Sequence, residues 1–258
     1  MEDINSNNDT EALINISNAE IMEDSQSVND AEALYNTGNA AGMLHNYADA
    51  FDCFLKAADL GYAPAQCSLA FCYEKGNGVP LNYAKAIEYY RKSADQGYVP
   101  AQCNLGWCYE SGYGVTQDID KAVAYYTKAA EQGYAPAQGN LGFCYGNGNG
   151  VKQDIDEAFK WYSKAADQGN SFAQYNLGEC YENGRGVAKD INKAVDWYKK
   201  SAEHGYAPAQ NNLGACYEKG IGVQKNAFKA YEWYGYAAFQ GHAIAKKNID
   251  NLKKQELI

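Results

Sequence analysis

The chain has 258 residues, 46 % of them hydrophobic, and a formal net charge of −10. The charge is uneven, because residues 1–55 carry eleven acidic and no basic side chains, and the rest of the chain is nearly neutral. Nucleic-acid binding needs clustered cations, so nucleic acid is excluded as a direct partner. No apolar run reaches the roughly 20 residues that cross a bilayer, so direct membrane insertion is excluded as well.

The amino-terminal segment, residues 1–29, is rich in Asn, Asp, Glu and Ser and shows no repeat. This composition is typical of disorder. We therefore expect a disordered acidic leader, either a solubilising tail or a segment that folds on a partner or on the rest of the chain. The start Met1-Glu2-Asp3 lacks the basic and apolar stretches of a secretory signal, so we expect a cytoplasmic protein.

Residues 30–258 are expected to form one repeat region, which opens with a short helix pair at 31–64. Five copies of a 36-residue unit follow at 65–244, because a shift of 36 residues superposes most of this part of the chain on itself. In each copy Ala, Leu and Tyr recur at i, i+4 and i+8, which is the spacing of one buried helix stripe.

Each copy is predicted to consist of a helix, a glycine loop and a second helix. Gly76 ends the first helix of the first full copy, since glycine tolerates positive φ. Asn82, like Asp118 and Asp154 in later copies, is a good N-cap for the second helix. Residues 245–256 are predicted to be a capping helix with one apolar face. Helices of about 12 residues are marginal alone, so neighbouring pairs must stack and bury their stripes.

The repeated pattern AQxNLGxCYExGxGVxxDxxKAxxWYxKAAxQG resembles the Sel-one-like repeat, a relative of the tetratricopeptide repeat, over residues 61–245. The segment AEALYNTGNAA in the leading unit resembles instead a tetratricopeptide first helix. The resemblance implies an all-α fold, a right-handed α-solenoid of stacked antiparallel helix pairs. It also implies a scaffold or adaptor, because members of this family mostly organise protein complexes.

A column of cysteines in the first helices could suggest disulfides. Its members fall 36 residues apart: Cys72, Cys108, Cys144, Cys180 and Cys216. Stacked helix pairs are separated by about 8 to 10 Å or more, whereas the Cα atoms of a disulfide lie within about 7 Å. We therefore expect these thiols to be reduced and buried.

The other chemical signals indicate no catalytic, metal or cofactor site. The glycine loops follow a helix and lack the third glycine of a dinucleotide-binding loop. Three histidines and no C-x-x-C pair do not suggest a metal cluster, and no nucleophile elbow is present. Two adjacent aromatic columns, which begin at Tyr89 and Tyr90, are assigned to core packing rather than to a stacking platform. We expect no enzyme and no cofactor.

Positions that differ among the copies are expected on the surface, because packed positions must look alike. Two first-helix positions vary most, and they share one helix face. The first position holds Cys67, Cys103, Gly139, Tyr175 and Asn211, and the second holds Phe71, Trp107, Phe143, Glu179 and Ala215. From these positions we expect a protein-binding face made of Phe71, Trp107, Phe143, Tyr175, Glu179 and Asn211. The alternative is that the aromatic residues pack between repeats.

The expected partner is a peptide or helix with apolar anchors and some basic residues. Glutamates near this face would make it mildly acidic and so favour basic residues: Glu74, Glu110, Glu182 and Glu218. In tetratricopeptide relatives the equivalent face lines a concave groove, and the resemblance implies the same here. The leading interpretation is thus a cytoplasmic protein-binding adaptor or scaffold. The alternatives are a regulatory subunit that docks on and activates an enzyme, and a hydrolase or cell-wall-binding protein.

Overall fold

The computed structural model describes residues 27–254, so most of the expected leader lies outside the described residues. Within that range the regular structure consists of thirteen α-helices and no strand. Helix α1 covers residues 27–43, which include the last three residues of the expected leader. The described residues divide into two compact units, with the boundary between Gln117 and Asp118.

The first unit contains α1 to α5, and consecutive helices from α2 onward pack against each other. The helices after α1 are α2 Tyr47–Asp59, α3 Ala63–Lys75, α4 Tyr83–Asp95 and α5 Val99–Ser111. Helix α1 packs on α2 through Tyr35 and Phe54, whose ring centroids are 5.8 Å apart. The loop between α1 and α2 is short and contains His45 at a φ of 59°. This tight connection replaces the longer glycine loop of the other helix pairs.

The second unit contains α6 to α13, and each helix again packs against the next. Its helices are α6 Ile119–Glu131, α7 Ala135–Asn147, α8 Ile155–Asp167, α9 Ser171–Asn183, α10 Ile191–Glu203, α11 Ala207–Lys219, α12 Ala227–Phe239 and α13 Ala243–Lys254. Helix α13 buries Ala245 and Leu252 against Tyr234 of α12 and leaves Lys246 and Lys253 exposed. Helix α13 overlaps the predicted capping helix, and its role as a cap of the repeat array stays a prediction.

The predicted helix boundaries are confirmed by their capping contacts. The N–H of Gly76 donates to the carbonyl of Cys72 at the end of α3, and Gly76 has a φ of 74°. The side chains of Asn82 and Asp154 accept hydrogen bonds from the backbone N–H groups of Lys85 and Glu157. These contacts satisfy backbone groups that a helix end leaves without partners.

The inner aromatic column forms the core, as predicted. Its tyrosines are at most 5 % exposed: Tyr90, Tyr126, Tyr162, Tyr198 and Tyr234. The neighbouring column is half-buried, and lysines cover part of it. Lys164 Nζ lies 4.1 Å from the ring centroid of Trp161, and Lys200 Nζ lies 3.9 Å from that of Trp197. Cation–π contacts of this kind stabilise partly exposed aromatic rings.

Candidate functional site

The first variable position of the first helices is not a surface position, so that prediction was wrong. Cys67 and Cys103 are 8 % and 5 % exposed, and Gly139 is buried. The physical reason is that, within each unit, this position faces the next first helix. Asn104 on α5, for example, places its Nδ2 atom 3.7 Å from Cys67 Sγ on α3. Variation among the copies therefore does not indicate exposure at this position.

Tyr175 and Asn211, the later members of this position, are half-buried. The ring of Tyr175 lies 5.4 Å from that of Tyr206, measured between centroids. The side chain of Asn211 accepts a hydrogen bond of 3.0 Å from Asn248 on α13. Both side chains therefore already have partners inside the second unit.

The second variable position keeps part of the expected exposure. Phe71 is 45 % exposed and Phe143 is 37 % exposed. Trp107 is half-buried, because its ring packs 5.0 Å from that of Tyr113, centroid to centroid. Glu179 is also half-buried and accepts a hydrogen bond of 2.9 Å from the Tyr175 hydroxyl. Phe71 and Phe143 are thus the most accessible aromatic side chains of this position.

The carboxylates expected to make this face acidic are used inside the repeats, which corrects that expectation for three of the four. The hydroxyls of the core tyrosines donate to them: Tyr90 to Glu74 at 2.8 Å, Tyr198 to Glu182 at 2.5 Å and Tyr234 to Glu218 at 2.6 Å. A buried tyrosine hydroxyl needs such a partner, because an unpaired polar group away from water is costly. These three glutamates therefore act as hydrogen-bond acceptors for the core tyrosines.

Two helix pairs lack this glutamate, and the structure has a cavity at each of them. The position is occupied by Gly42 in α1 and by Gly146 in α7. The aligned second-helix residues are Phe54 and Tyr162. In α1–α2 both members of the tyrosine–glutamate pair are replaced, whereas α7–α8 keeps the tyrosine and loses only the glutamate. The two cavities should therefore differ in chemistry.

The Gly42 pocket lies in the first unit and has a volume of about 320 Å³. Its lining is Asn39, Gly42, Tyr47, Ala50, Phe54, Cys67, Ser68, Phe71, Cys72, Asn77 and Asn104. Aromatic rings and small apolar side chains make up most of this surface, and the exposed Phe71 stands among them. A Cβ added to Gly42 would meet only Ala50 Cβ, at 3.9 Å, so the glycine leaves this space open.

The Gly146 pocket lies in the second unit and has a volume of about 130 Å³. Its lining is Phe143, Gly146, Asn147, Ile155, Ala158, Tyr162, Asn176, Glu179, Cys180 and Arg185. Arg185, in the loop after α9, donates from Nη2 to the Gly146 carbonyl at 3.4 Å. Burial raises the pKa of the Tyr162 hydroxyl, which stays a hydrogen-bond donor at neutral pH. This pocket is polar and contains one cationic and one carboxylate group.

Neither glycine was among the predicted site residues. The sequence did contain a signal, because Glu stands at this position in four of the six helix pairs and Gly in two. The informative feature was a polar residue missing from an otherwise regular column.

The cysteine column is buried and free of disulfides, as predicted. Burial raises the pKa of Cys72, Cys180 and Cys216 to about 11 and that of Cys108 to about 12. These thiols are therefore almost fully protonated at neutral pH, and the thiolate is the reactive form.

We expect a thiol reagent at pH 8 to modify the native protein fast at Cys53 alone, because Cys53 is half-buried and the other seven cysteines are buried. Mass spectrometry of the peptides after short labelling would measure this order, and labelling in denaturant would show that all eight thiols can react. Rapid labelling of Cys108 in the native protein would contradict the packing of the first helices.

Comparison with known proteins agrees with this architecture. Six consecutive segments match the family model of the Sel1 repeat, at residues 31–62, 63–98, 99–134, 135–170, 171–206 and 207–242. The chain belongs to the Sel1 repeat family. The leading helix pair, despite its resemblance to a tetratricopeptide helix, is thus a shortened Sel1 repeat. Sel1 repeats generally mediate protein–protein interactions, and their fold is typically a non-catalytic scaffold.

Solved Sel1 structures resemble this chain over most of its length. A Sel1 repeat protein from Oxalobacter formigenes is 35 % identical with a TM-score of 0.75, and the match covers 85 % of this chain and 87 % of that one. A protective antigen of uropathogenic Escherichia coli strains is also 35 % identical, with a TM-score of 0.72. That match covers 92 % of this chain and 52 % of the antigen, so this chain spans about half of the antigen's length.

No match was found among curated proteins. In the part of the chain that the structure describes, no helix has both the length and the apolar character needed to span a bilayer.

Proposed function

We propose that this Sel1 repeat protein is a protein-binding adaptor that holds a segment of a partner polypeptide, with an apolar anchor residue in the Gly42 pocket. The observation that carries the proposal is the Gly42 pocket itself, with the 45 % exposed ring of Phe71 beside it. An exposed aromatic side chain next to a cavity is a typical arrangement at protein interfaces.

The size and lining of the pocket support an apolar anchor. A volume of about 320 Å³ accommodates a large apolar side chain. Phe54 replaces the tyrosine and Gly42 replaces the glutamate of the other helix pairs, so this position holds neither the hydroxyl nor the carboxylate. Because Phe54 has no hydroxyl, an apolar side chain buried at this position deprives no core tyrosine of its hydrogen-bond partner. Burial of one large apolar side chain stabilises a complex by about 1.5 to 3 kcal/mol.

The amide side chains at the pocket would help to position the partner's backbone. Asn39, Asn77 and Asn104 contribute to the lining. An asparagine amide both donates and accepts hydrogen bonds, so it can pair with the N–H and C=O groups of an extended segment. This combination of apolar surface and a few polar groups is usual in binding pockets.

The proposal is tested with a peptide display library of random dodecapeptides selected on the immobilised full chain. Gly42→Leu fills the pocket from α1, and we expect selected peptides to bind this variant at least tenfold more weakly. Phe71→Ala removes an exposed anchor contact and should weaken binding about tenfold. Peptides whose binding depends on the pocket should carry a Leu, Met, Phe or Trp residue.

Gly235→Leu is the matched control, because Gly235 also lies in a helix and a Cβ there would meet nothing within 4 Å. This control adds the same side chain away from both pockets and should leave peptide affinity unchanged. Equal affinity of selected peptides for wild type, Gly42→Leu and Phe71→Ala would refute the proposed site.

A further inference from the structure

The Gly146 pocket contains a tyrosine that has lost the carboxylate of its repeat. In α3–α4, α9–α10 and α11–α12, the tyrosine hydroxyl donates to a glutamate on the preceding helix. In α7–α8 the tyrosine remains as Tyr162, but Gly146 stands at the glutamate position. A Cβ on Gly146 would lie 3.7 Å from the Tyr162 hydroxyl oxygen, so the missing side chain would start next to this donor.

A cationic group is also present at this place. Arg185 lines the pocket, and its Nη2 atom lies 3.4 Å from the Gly146 carbonyl oxygen. The corresponding loop residues of the other copies are Asn77, Tyr113, Asn149 and Ile221, none of which is charged. The helix pair that keeps the tyrosine but lacks the carboxylate is thus the one that receives a guanidinium from the following repeat. Hydrogen bonds between a guanidinium and a carboxylate are among the stronger ones in proteins.

We propose that the Gly146 pocket binds a glutamate side chain of a partner polypeptide, whose carboxylate takes the place of the missing internal glutamate between Tyr162 and Arg185. The inference deepens the proposed adaptor function and rests on it for the source of the carboxylate. The cavity of about 130 Å³ fits one side chain rather than a separate small molecule, for which pockets usually exceed roughly 300 Å³.

Glu179 is the one carboxylate in the lining of the Gly146 pocket. Its negative charge disfavours the binding of a second carboxylate. It already accepts a hydrogen bond from Tyr175 at 2.9 Å, and burial raises its pKa. The hydrogen bond from Tyr175 and the charge of Arg185 lower the pKa of Glu179, and the charge of Glu182 raises it. The neighbouring amides Asn147 and Asn176 can donate to a bound carboxylate as well.

The experiment titrates the full ¹⁵N-labelled chain with N-acetyl-glutamate methylamide and follows backbone amide shifts. We expect saturable shifts at Gly146, Arg185 and around Tyr162, with affinity in the millimolar range that is usual for a single side chain. The uncharged isostere N-acetyl-glutamine methylamide should bind at least tenfold more weakly. Arg185→Gln and Tyr162→Phe should each weaken glutamate binding about tenfold, and Glu179→Gln should tighten it two- to tenfold.

Substitutions of Gly146 provide the sharpest comparison. Gly146→Glu restores the internal carboxylate and should abolish binding of the probe, whereas Gly146→Ala should retain it. Tyr234→Phe is the matched control, because Tyr234 has its own glutamate, Glu218, and loss of its hydroxyl should leave probe affinity unchanged. If Gly146→Glu does not fold, Arg185→Gln and the comparison of the two probes decide the question.

Equal binding of the glutamate and glutamine probes would overturn the inference. Tighter binding of N-acetyl-lysine methylamide would also overturn it and assign the pocket to Glu179. Glutamate binding without any peptide from the display selection would support the carboxylate site and contradict the adaptor proposal. Selected peptides that lack acidic residues and bind Gly146→Glu with wild-type affinity would support the adaptor proposal and contradict the carboxylate site.

Discussion

Gly114→Ala is expected to lower the free energy of unfolding by about 3 kcal/mol, the sum of backbone strain and steric overlap. Gly114 has a φ of 70°, and a Cβ there would lie 2.6 Å from the Tyr83 carbonyl oxygen at the start of α4. The loop after α5 therefore sits directly on the backbone of the preceding second helix. An alanine forces that loop away and opens the contact between repeats.

Gly97→Ala separates the contribution of backbone strain from that of steric overlap. Gly97 has a φ of 86°, but a Cβ there would meet nothing within 4 Å. Its replacement should cost about 1 kcal/mol, the strain of a left-handed backbone alone. Urea denaturation of both variants followed by circular dichroism measures the difference. Equal losses would mean that the glycine loop is not seated against α4.

Leu252→Ala is expected to destabilise the second unit by about 3 kcal/mol, within the range usual for a buried leucine. Leu252 is fully buried in α13, in a cluster with Ala230, Tyr234 and Ala237 of α12. In a repeat array each element contacts only its neighbours, so α12 relies on α13 to cover its outer apolar surface. Hydrogen exchange should therefore accelerate first in α12 and α13.

Lys254→Ala is the matched control for this prediction, because Lys254 lies two residues further along α13 and is exposed. It should change stability by less than about 0.5 kcal/mol. Removal of residues 243–258 should have a larger effect than Leu252→Ala and promote self-association, since it exposes the whole cluster. A truncated chain that melts like wild type would show that α13 is not a structural cap.

Local and periodic features of the fold could be predicted from the sequence. The N-cap at Asn82 depends on a side chain within three residues, and the left-handed Gly76 depends on its own φ. The buried stripe and the reduced cysteines followed from equal phase in every copy. None of these features requires knowledge of which residue from another repeat lies opposite, and the structure confirms them.

Features that depend on contacts between repeats could not be predicted in the same way. Variation at Cys67 and Cys103 indicated exposure, but both side chains are buried, and Cys67 contacts Asn104 of the next first helix. Glu74 was expected to make the variable face acidic, whereas its hydrogen bond from Tyr90 depends on the relative placement of two helices. The Gly42 and Gly146 pockets lie in the two helix pairs that lack this glutamate. They could be recognised only once the hydrogen bond between tyrosine and glutamate was known.

Partner binding, as proposed, uses the pocket that a missing glutamate leaves open in each unit. The most direct measurement is the affinity of one display-selected peptide for wild type and for the double variant Gly42→Leu/Gly146→Glu, determined by isothermal titration calorimetry. We expect binding to weaken at least tenfold while the urea midpoint stays within the range of the Gly235→Leu control. Equal affinity in a folded double variant would contradict partner binding at the Gly42 and Gly146 pockets and place the binding surface elsewhere on the repeats.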